Sequence, residues 1–260
     1  MLKYILIGGV QVAENIENKT EKKDVNVIEL QTITPKYQGL LSVLITFGVC
    51  FVCVMFVFQV ILKPIKIDGI SMQPTINNSF TTLNNKCDIV YYCNTGSYAV
   101  GDIVIVKNEI DNDTIIKRVV AVGGQTITFN VYGTQTRLPY TNELSKQPLS
   151  ITINENGEEI ELEEDYIKES MVFNFITSMN RDIYSKYDEY VKMNDALKNT
   201  GTYSVELPEN TYFVMGDNRN NSDDSRCFGY FEKSDILGEL VLHVPNGKSI
   251  FYAIWHKIFG

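Results

Sequence analysis

The chain has 260 residues, with 23 basic and 32 acidic side chains and a formal net charge of −9. That acidic balance argues against nucleic acid as a partner, because phosphate binding needs a basic patch. With 44% hydrophobic and 21% charged residues the bulk is globular rather than disordered, and 5 cysteines exclude a disulfide scaffold. The two histidines, His243 and His256, both sit near the C-terminal end and leave little material for a metal site or a His relay. No metal and no cofactor are expected.

Residues 1–38 carry no readable motif; Tyr4 to Val10 is apolar but far too short to span a bilayer. Between Lys36 and Lys63 there is no charged residue, and Leu40 to Leu62 reads LLSVLITFGVCFVCVMFVFQVIL. A bilayer core of about 30 Å needs roughly 20 such residues as a helix, so a transmembrane helix is expected over 39–62, with Cys50 and Cys53 as apolar packing residues. A cleaved signal peptide fits poorly, since its apolar region is roughly 7–15 residues and lies closer to the start. Lys19, Lys22, Lys23 and Lys36 outnumber Lys63 and Lys66 across the span, which favours a cytoplasmic tail (1–38) and a region 63–260 outside the cytoplasm.

Beyond the helix the chain reads as mainly β. KPIKIDGI, DIVYY (88–92), GDIVIVK (101–107) and TIIKRVVAV (114–122) are rich in Ile and Val and bounded by Gly, Asn or Asp. Residues 125–210 have a different texture: short strands such as QTITFNVYG and LSITINENG, an acidic run EEIELEEDY read as a solvated face, and a helical pattern near Arg181 to Lys198. TYFVM then returns to strand and enters a polar loop. The expectation is a β-rich core (63–124 and 211–260) interrupted by an inserted α+β subdomain (125–210) folded on its own account. There are no internal repeats.

Three stretches carry candidate chemistry. In IDGISMQPTI, Gly69 permits a sharp turn and Pro74 stiffens the exit, so Ser71 is held on a tight bend. A serine so presented is a nucleophile only with a base beside it; alone it is more often a turn residue. In TIIKRVVAVGG, Lys117 shares a strand face with Ile115 and Val119. An apolar face disfavours the ammonium and lowers its pKa, as an amine general base requires; an isolated strand lysine more often snorkels. In GDNRNNSDDSRCFG (216–229), Asp217, Arg219, Ser222, Asp223, Asp224 and Arg226 crowd one loop, which bidentate ion pairs could lock. The oxygen ligands there also invite a calcium reading, but their order is not that of an EF-hand and Arg219 would put a cation in the cage.

ISMQPTI, GDIVIVK, KRVVAVGG and GDNRNNSDDSR occur in the order and approximate spacing of type I (leader) signal peptidases, which this chain resembles from the apolar helix to about Leu240. These are membrane-anchored Ser/Lys proteases that remove signal peptides from exported proteins, and a lysine at 117 rather than a histidine is similar to the bacterial branch. The resemblance implies a signal-peptidase/LexA-like β-fold and a site at the outer side of a bacterial plasma membrane. Its partners would be signal peptides and the lipid bilayer, with no cofactor. It makes Ser71 the nucleophile, Lys117 the general base and Ser222 the serine that hydrogen-bonds the lysine amine. Asp224 and Arg226 form the ion pair that steadies the catalytic loop, with Asp217 supporting it. Ile65, Ile67, Met72, Ile76, Ile115 and Ile116 line two shallow substrate pockets. Some relatives carry a serine two positions before the nucleophile; here it is Gly69, which looks like the Gram-positive variant and leaves the oxyanion to backbone N–H groups, that of Ser71 first. An extended substrate would add as a strand between 64–69 and 114–119, and walls of Ile and Met admit only small side chains next to the cut.

Other classes explain less. LexA-like self-cleaving repressors share the dyad but are soluble and carry a DNA-binding module. A sortase needs a reactive Cys with His and Arg. A non-enzymatic single-pass surface protein with a β-rich binding ectodomain gives no reason for four ordered motifs. Cys87 and Cys93 could bridge only if their strands turn back.

Overall fold

A computed structural model describes residues 6–7, 10–11, 35–81, 83, 86–160, 162 and 164–259. The chain falls into two compact units, residues 1–51 and 52–260. In the first, Leu6–Ile7 (β1) and Val10–Gln11 (β2) form a small antiparallel ladder. The rest of the tail, up to residue 34, lies outside the described residues. Helix α1 (Pro35–Phe56) follows. It starts ahead of the apolar run because proline suits the first helical position, where its missing N–H has no intrahelical use. Its side chains from Leu40 to Phe56 lie exposed around the whole circumference, with Phe47 at 71% and Phe51 at 66%. The span Tyr37–Phe56 is long and apolar enough to cross a membrane. Thr46 Oγ1 donates to the Ser42 carbonyl at 2.9 Å, so this hydroxyl is satisfied within the helix.

The second unit begins with the end of α1 and a π-helical turn, Val57–Ile61. A seven-stranded antiparallel sheet then builds from β3 (Lys63–Lys66), β4 (Ile89–Cys93), β5 (Ile103–Asn108) and β6 (Asp113–Val122). Residues 125–210 supply β7 (Gln125–Val131), β8 (Thr136–Arg137), β9 (Leu144–Glu155), β10 (Glu158–Ile160), β11 (Val172–Asn174), α2 (Arg181–Tyr184), α3 (Asp188–Thr200) and β12 (Thr202–Glu206). The chain returns to the first sheet with β13 (Thr211–Met215), α4 (Ser225–Phe228), β14 (Phe231–Glu232) and β15 (Ile236–Val244), and ends in α5 (Ile250–Phe259). The first sheet has the order β14-β13-β6-β5-β15-β4-β3; the second runs β10-β9-β7-β12, with β8 and β11 paired to β9.

The Ile/Val-rich runs become strands, as β-branched side chains on a half-buried pleat favour. KPIKIDGI is strand only to Lys66, because Gly69 at φ +128° bends the chain out of the ladder. The helical pattern over 181–198 divides into α2 and α3, the latter closed by Gly201 in the left-handed region. The inserted sheet has its own hydrogen bonding but no private core. Ile127, Phe129 and Ile153 pack in one cluster with Val120, Ala121, Phe213 and Met215 of β6 and β13. Nor is the acidic run wholly solvated: Glu164 leaves it to pair with Arg219, a guanidinium too deeply buried to stay uncompensated. No disulfide joins the cysteines among the described residues; Cys93 is the last residue of the extended β4, and Cys87 lies two residues before that strand begins.

Candidate active site

Ser71 sits on the turn between β3 and β4, and the turn is fixed from both sides. Met72 and Ile76 are each 1% exposed and pack with Ile67, Val90, Ile105 and Ile116. Each such burial contributes about 1.5–3 kcal/mol. On the polar side Asn77 closes the loop: its Nδ2 donates to the carbonyls of Ile67 at 2.7 Å and Gly69 at 3.0 Å. Asn77 N donates to Asp88 Oδ2 at 2.7 Å, and Asp88 N returns a bond to Asn77 Oδ1 at 2.6 Å. His243 Nε2 at 2.7 Å and the Asn246 amide at 2.8 Å complete the shell of the Asp88 carboxylate. Asn77 has φ +61°, which asparagine tolerates better than most residues.

Lys117 reaches the same point from β6. Its register partner on β5 is Val104, and its Nζ lies 2.9 Å from Ser71 Oγ, with 3% of the residue exposed. Burial pushes the Lys117 amine below the ordinary lysine range; the carboxylates of Asp224 and Asp223 oppose this without reversing it. The amine is therefore biased towards the neutral form that can accept the Ser71 proton.

The loop after β13 holds these two elements together. Arg118 donates from Nε and Nη2 to the two Asp217 oxygens, at 2.8 and 2.7 Å, and Asp217 Oδ2 also accepts from Thr75 Oγ1 at 2.6 Å. Asn218 N donates to the Ser71 carbonyl at 2.9 Å, and Asn218 Nδ2 to that of Ile70 at 3.1 Å. Deeper, Arg226 Nε and Nη2 each lie 2.8 Å from an Asp224 oxygen. Burial works against the Asp224 charge, but Arg226 and the Gly216 amide hold its carboxyl below the usual range. A Cβ on Gly216 would overlap both the Ser71 carbonyl oxygen and the Ser222 side chain, so only glycine lets the loop approach this closely.

Of the residues expected from sequence, Ser71, Lys117, Asp217, Asp224 and Arg226 converge here. Ser222 does not play the expected part. Its hydroxyl is buried without a hydrogen-bond partner among the described residues, packed against Gly216, while the Lys117 amine is directed at Ser71. A cleft of about 90 Å³ beside Ser71 is lined by Ile65, Ile67, Ile105, Ile115 and Ile116, with Asp68 and Asp113 among its polar walls. Met72 and Ile76 are absent from that lining; both side chains turn into the core instead. Sequence reasoning missed Ile105, whose place follows from its pairing with Ile116. It also missed Arg118, Asn77, Asp88 and Asn218, whose roles lie in contacts between segments far apart in the chain.

The cleft has two open strand edges. Among the described residues β3 pairs only with β4, and β6 pairs with β13 only from Arg118 onward, so there Asp113–Lys117 is bonded to β5 alone.

The model of the family described as signal peptidase, peptidase S26, matches residues 40–244. Signal peptidase I P of Bacillus subtilis subsp. natto is 30% identical over 223 residues, 85% of this chain and 90% of that one. Signal peptidase I U of Bacillus subtilis (strain 168) is 28% identical, covering 84% and 96%. Signal peptidase IB of Staphylococcus aureus is 28% identical, covering 77% and 87%. A crystal structure of a signal peptidase I from Enterococcus faecalis V583 aligns at a TM-score of 0.30 and 22% identity, covering 56% of this chain and 97% of that one.

Proposed function

Because the chain belongs to the signal peptidase family, peptidase S26, we propose that Ser71 is its nucleophile and Lys117 its general base. The activity is that of a bacterial type I signal peptidase, a serine endopeptidase that cleaves signal peptides. The family match disfavours the LexA-like and binding-ectodomain readings. The observation that carries the assignment of residues is the 2.9 Å separation of Lys117 Nζ and Ser71 Oγ at the wall of a cleft with five isoleucines in its lining.

The substrate segment enters the cleft extended and bonds to the open edges of β3 and of the first half of β6. Neutral Lys117 takes the proton as Ser71 Oγ attacks the scissile carbonyl. The negative oxygen of the tetrahedral intermediate is stabilised by backbone N–H, that of Ser71 first. The Lys117 ammonium then gives its proton to the leaving amine, and the acyl-enzyme remains. Lys117 next deprotonates a water, whose attack releases the acyl group and returns the proton to Ser71. Asp217, Asp224 and Arg226 position the loop that holds the dyad.

Helix α1 anchors the enzyme in the bilayer in which its precursors reside, raising their effective concentration. The excess of Lys19, Lys22, Lys23 and Lys36 over Lys63 and Lys66 supports a cytoplasmic N-terminus and an extracytoplasmic catalytic region. Nucleic acid is not a partner on this reading, given the net charge of −9. The test is cleavage of a signal-peptide substrate by the purified full chain in detergent. Ser71→Ala and Lys117→Ala should each abolish turnover while leaving the fold intact. Normal turnover by either folded variant would refute the assignment.

A further inference from the structure

Helix α5 lies beyond residue 244, where the family match ends. Its inner face is accounted for: Ala253, with Ile250 and Ile254, packs on Leu242 and Val244 of β15. The opposite face is uncovered yet equally apolar. Phe251 is 79% exposed, Trp255 66%, Ile258 64% and Phe259 67%, with Tyr252 beside them. At about 100° per residue these five side chains share one side of the helix. A helix apolar on both faces, with one face open, calls for an apolar partner.

Charge narrows the choice. In a chain of net −9, no Asp or Glu follows Glu239, whereas Lys248 and Lys257 do. Aromatic side chains flanked by lysines suit the headgroup region of a bilayer, and the local positive charge suits an anionic leaflet.

Position agrees. Lys63, the first residue of β3, pairs with Tyr92 of β4, and Tyr92 pairs with Leu240 of β15. Lys257 of α5 donates to the carbonyl of the next residue, Val241. The C-terminal turn of α5 is thus tied to the row of the sheet at which the chain leaves its apolar helix.

We propose that the open face of α5 lies in the interface of an anionic membrane as a second, peripheral attachment, seating Phe251, Trp255, Ile258 and Phe259 among the headgroups. The inference rests on α1 holding the chain at a bilayer. Trp255 is the one tryptophan of the chain, so the native protein carries its own probe.

The full chain is reconstituted in phosphatidylcholine–phosphatidylglycerol vesicles, with or without bromine in the acyl chains, and flotation of the same sample reports anchoring by α1. Trp255 emission should be blue-shifted, shielded from iodide and quenched several-fold by the brominated lipid, and less so without phosphatidylglycerol. Phe251→Asp with Ile258→Asp, both on the exposed face, should restore a water-like spectrum without loss of fold. A floating chain whose Trp255 is open to iodide and blind to bromine would overturn the inference and leave the anchor standing; a chain that does not float would overturn both. A blue shift that bromine does not quench, and that fades as protein is diluted in lipid, would assign the face to a second copy and equally overturn it.

Discussion

Asp217 accepts hydrogen bonds from Nε and Nη2 of Arg118 and from the Thr75 hydroxyl with one buried carboxylate, and so ties the residue next to Lys117 to the turn that carries Ser71. Asp217→Asn keeps the shape but removes the charge. Breaking a buried pair costs about 3 kcal/mol, and a shift of roughly 1 Å between reacting groups can cost about 10²-fold in rate. Asp217→Asn should therefore lower kcat by about that factor with KM little changed. Steady-state kinetics beside a urea melt will separate the two effects, and unchanged kcat would remove Asp217 from the positioning machinery.

Asn77 closes the Ser71 loop through side-chain bonds to Ile67, Gly69 and Asp88, with φ +61°. Asn77→Ala should destabilise by several kcal/mol, at about 1–3 per buried polar group left unpaired, with left-handed strain added. Asn77→Gly loses the same bonds but not the φ penalty, and should recover about 1 kcal/mol of that loss. Equal melting temperatures for the two variants would show that backbone strain plays no part.

These two latches mark the limit of what the sequence discloses. Lys117 was legible because a strand alternates faces, so neighbours at 115 and 119 predict an apolar setting. The helix over 39–62 was legible because its apolar run is long and uncharged, although proline moves its start to 35. Periodicity says nothing about a turn, however. Met72 and Ile76 looked like pocket walls, yet their side chains point into the core. Ser222 looked like a partner of Lys117, yet the close approach at Gly216 leaves its hydroxyl without a hydrogen bond among the described residues. Asn77 and Asp88 are 11 residues apart with no motif linking them, and only the folded turn brings them together.

The buried lysine also makes a stability prediction. The Lys117 pKa in the native state lies below its unfolded value of 10.5. Between those two values the unfolded chain binds more protons than the native one, so stability rises with pH through that window. Below the window the penalty is present in full. Lys117→Met should therefore be inactive yet more stable than the parent at neutral pH, the gain vanishing as pH passes 10.5. Denaturant melts at neutral and alkaline pH will check the sign; a variant less stable at neutral pH would contradict it.

The cleft predicts selectivity. A cleft of about 90 Å³ with five isoleucines among its walls favours a small side chain beside the cut. Replacing alanine just before the cut by phenylalanine should abolish cleavage, while Ile115→Ala should readmit intermediate side chains such as valine. Mass spectrometry of products from a matched peptide set will decide, and equal cleavage of the alanine and phenylalanine peptides would refute the pocket.

In the proposed mechanism Lys117 acts as a neutral base towards Ser71, 2.9 Å away. Guanidinium does not deprotonate in proteins, so Lys117→Arg should be inactive, and Ser71→Ala with Lys117→Ala no worse than either alone. The most direct measurement is kcat/KM against pH for the full chain on a signal-peptide substrate, since that profile reports the free enzyme's essential base. The rate should climb with pH through a single midpoint well below the ordinary lysine value of 10.5. A profile flat across neutral and alkaline pH, or one with its midpoint at 10.5, would contradict it.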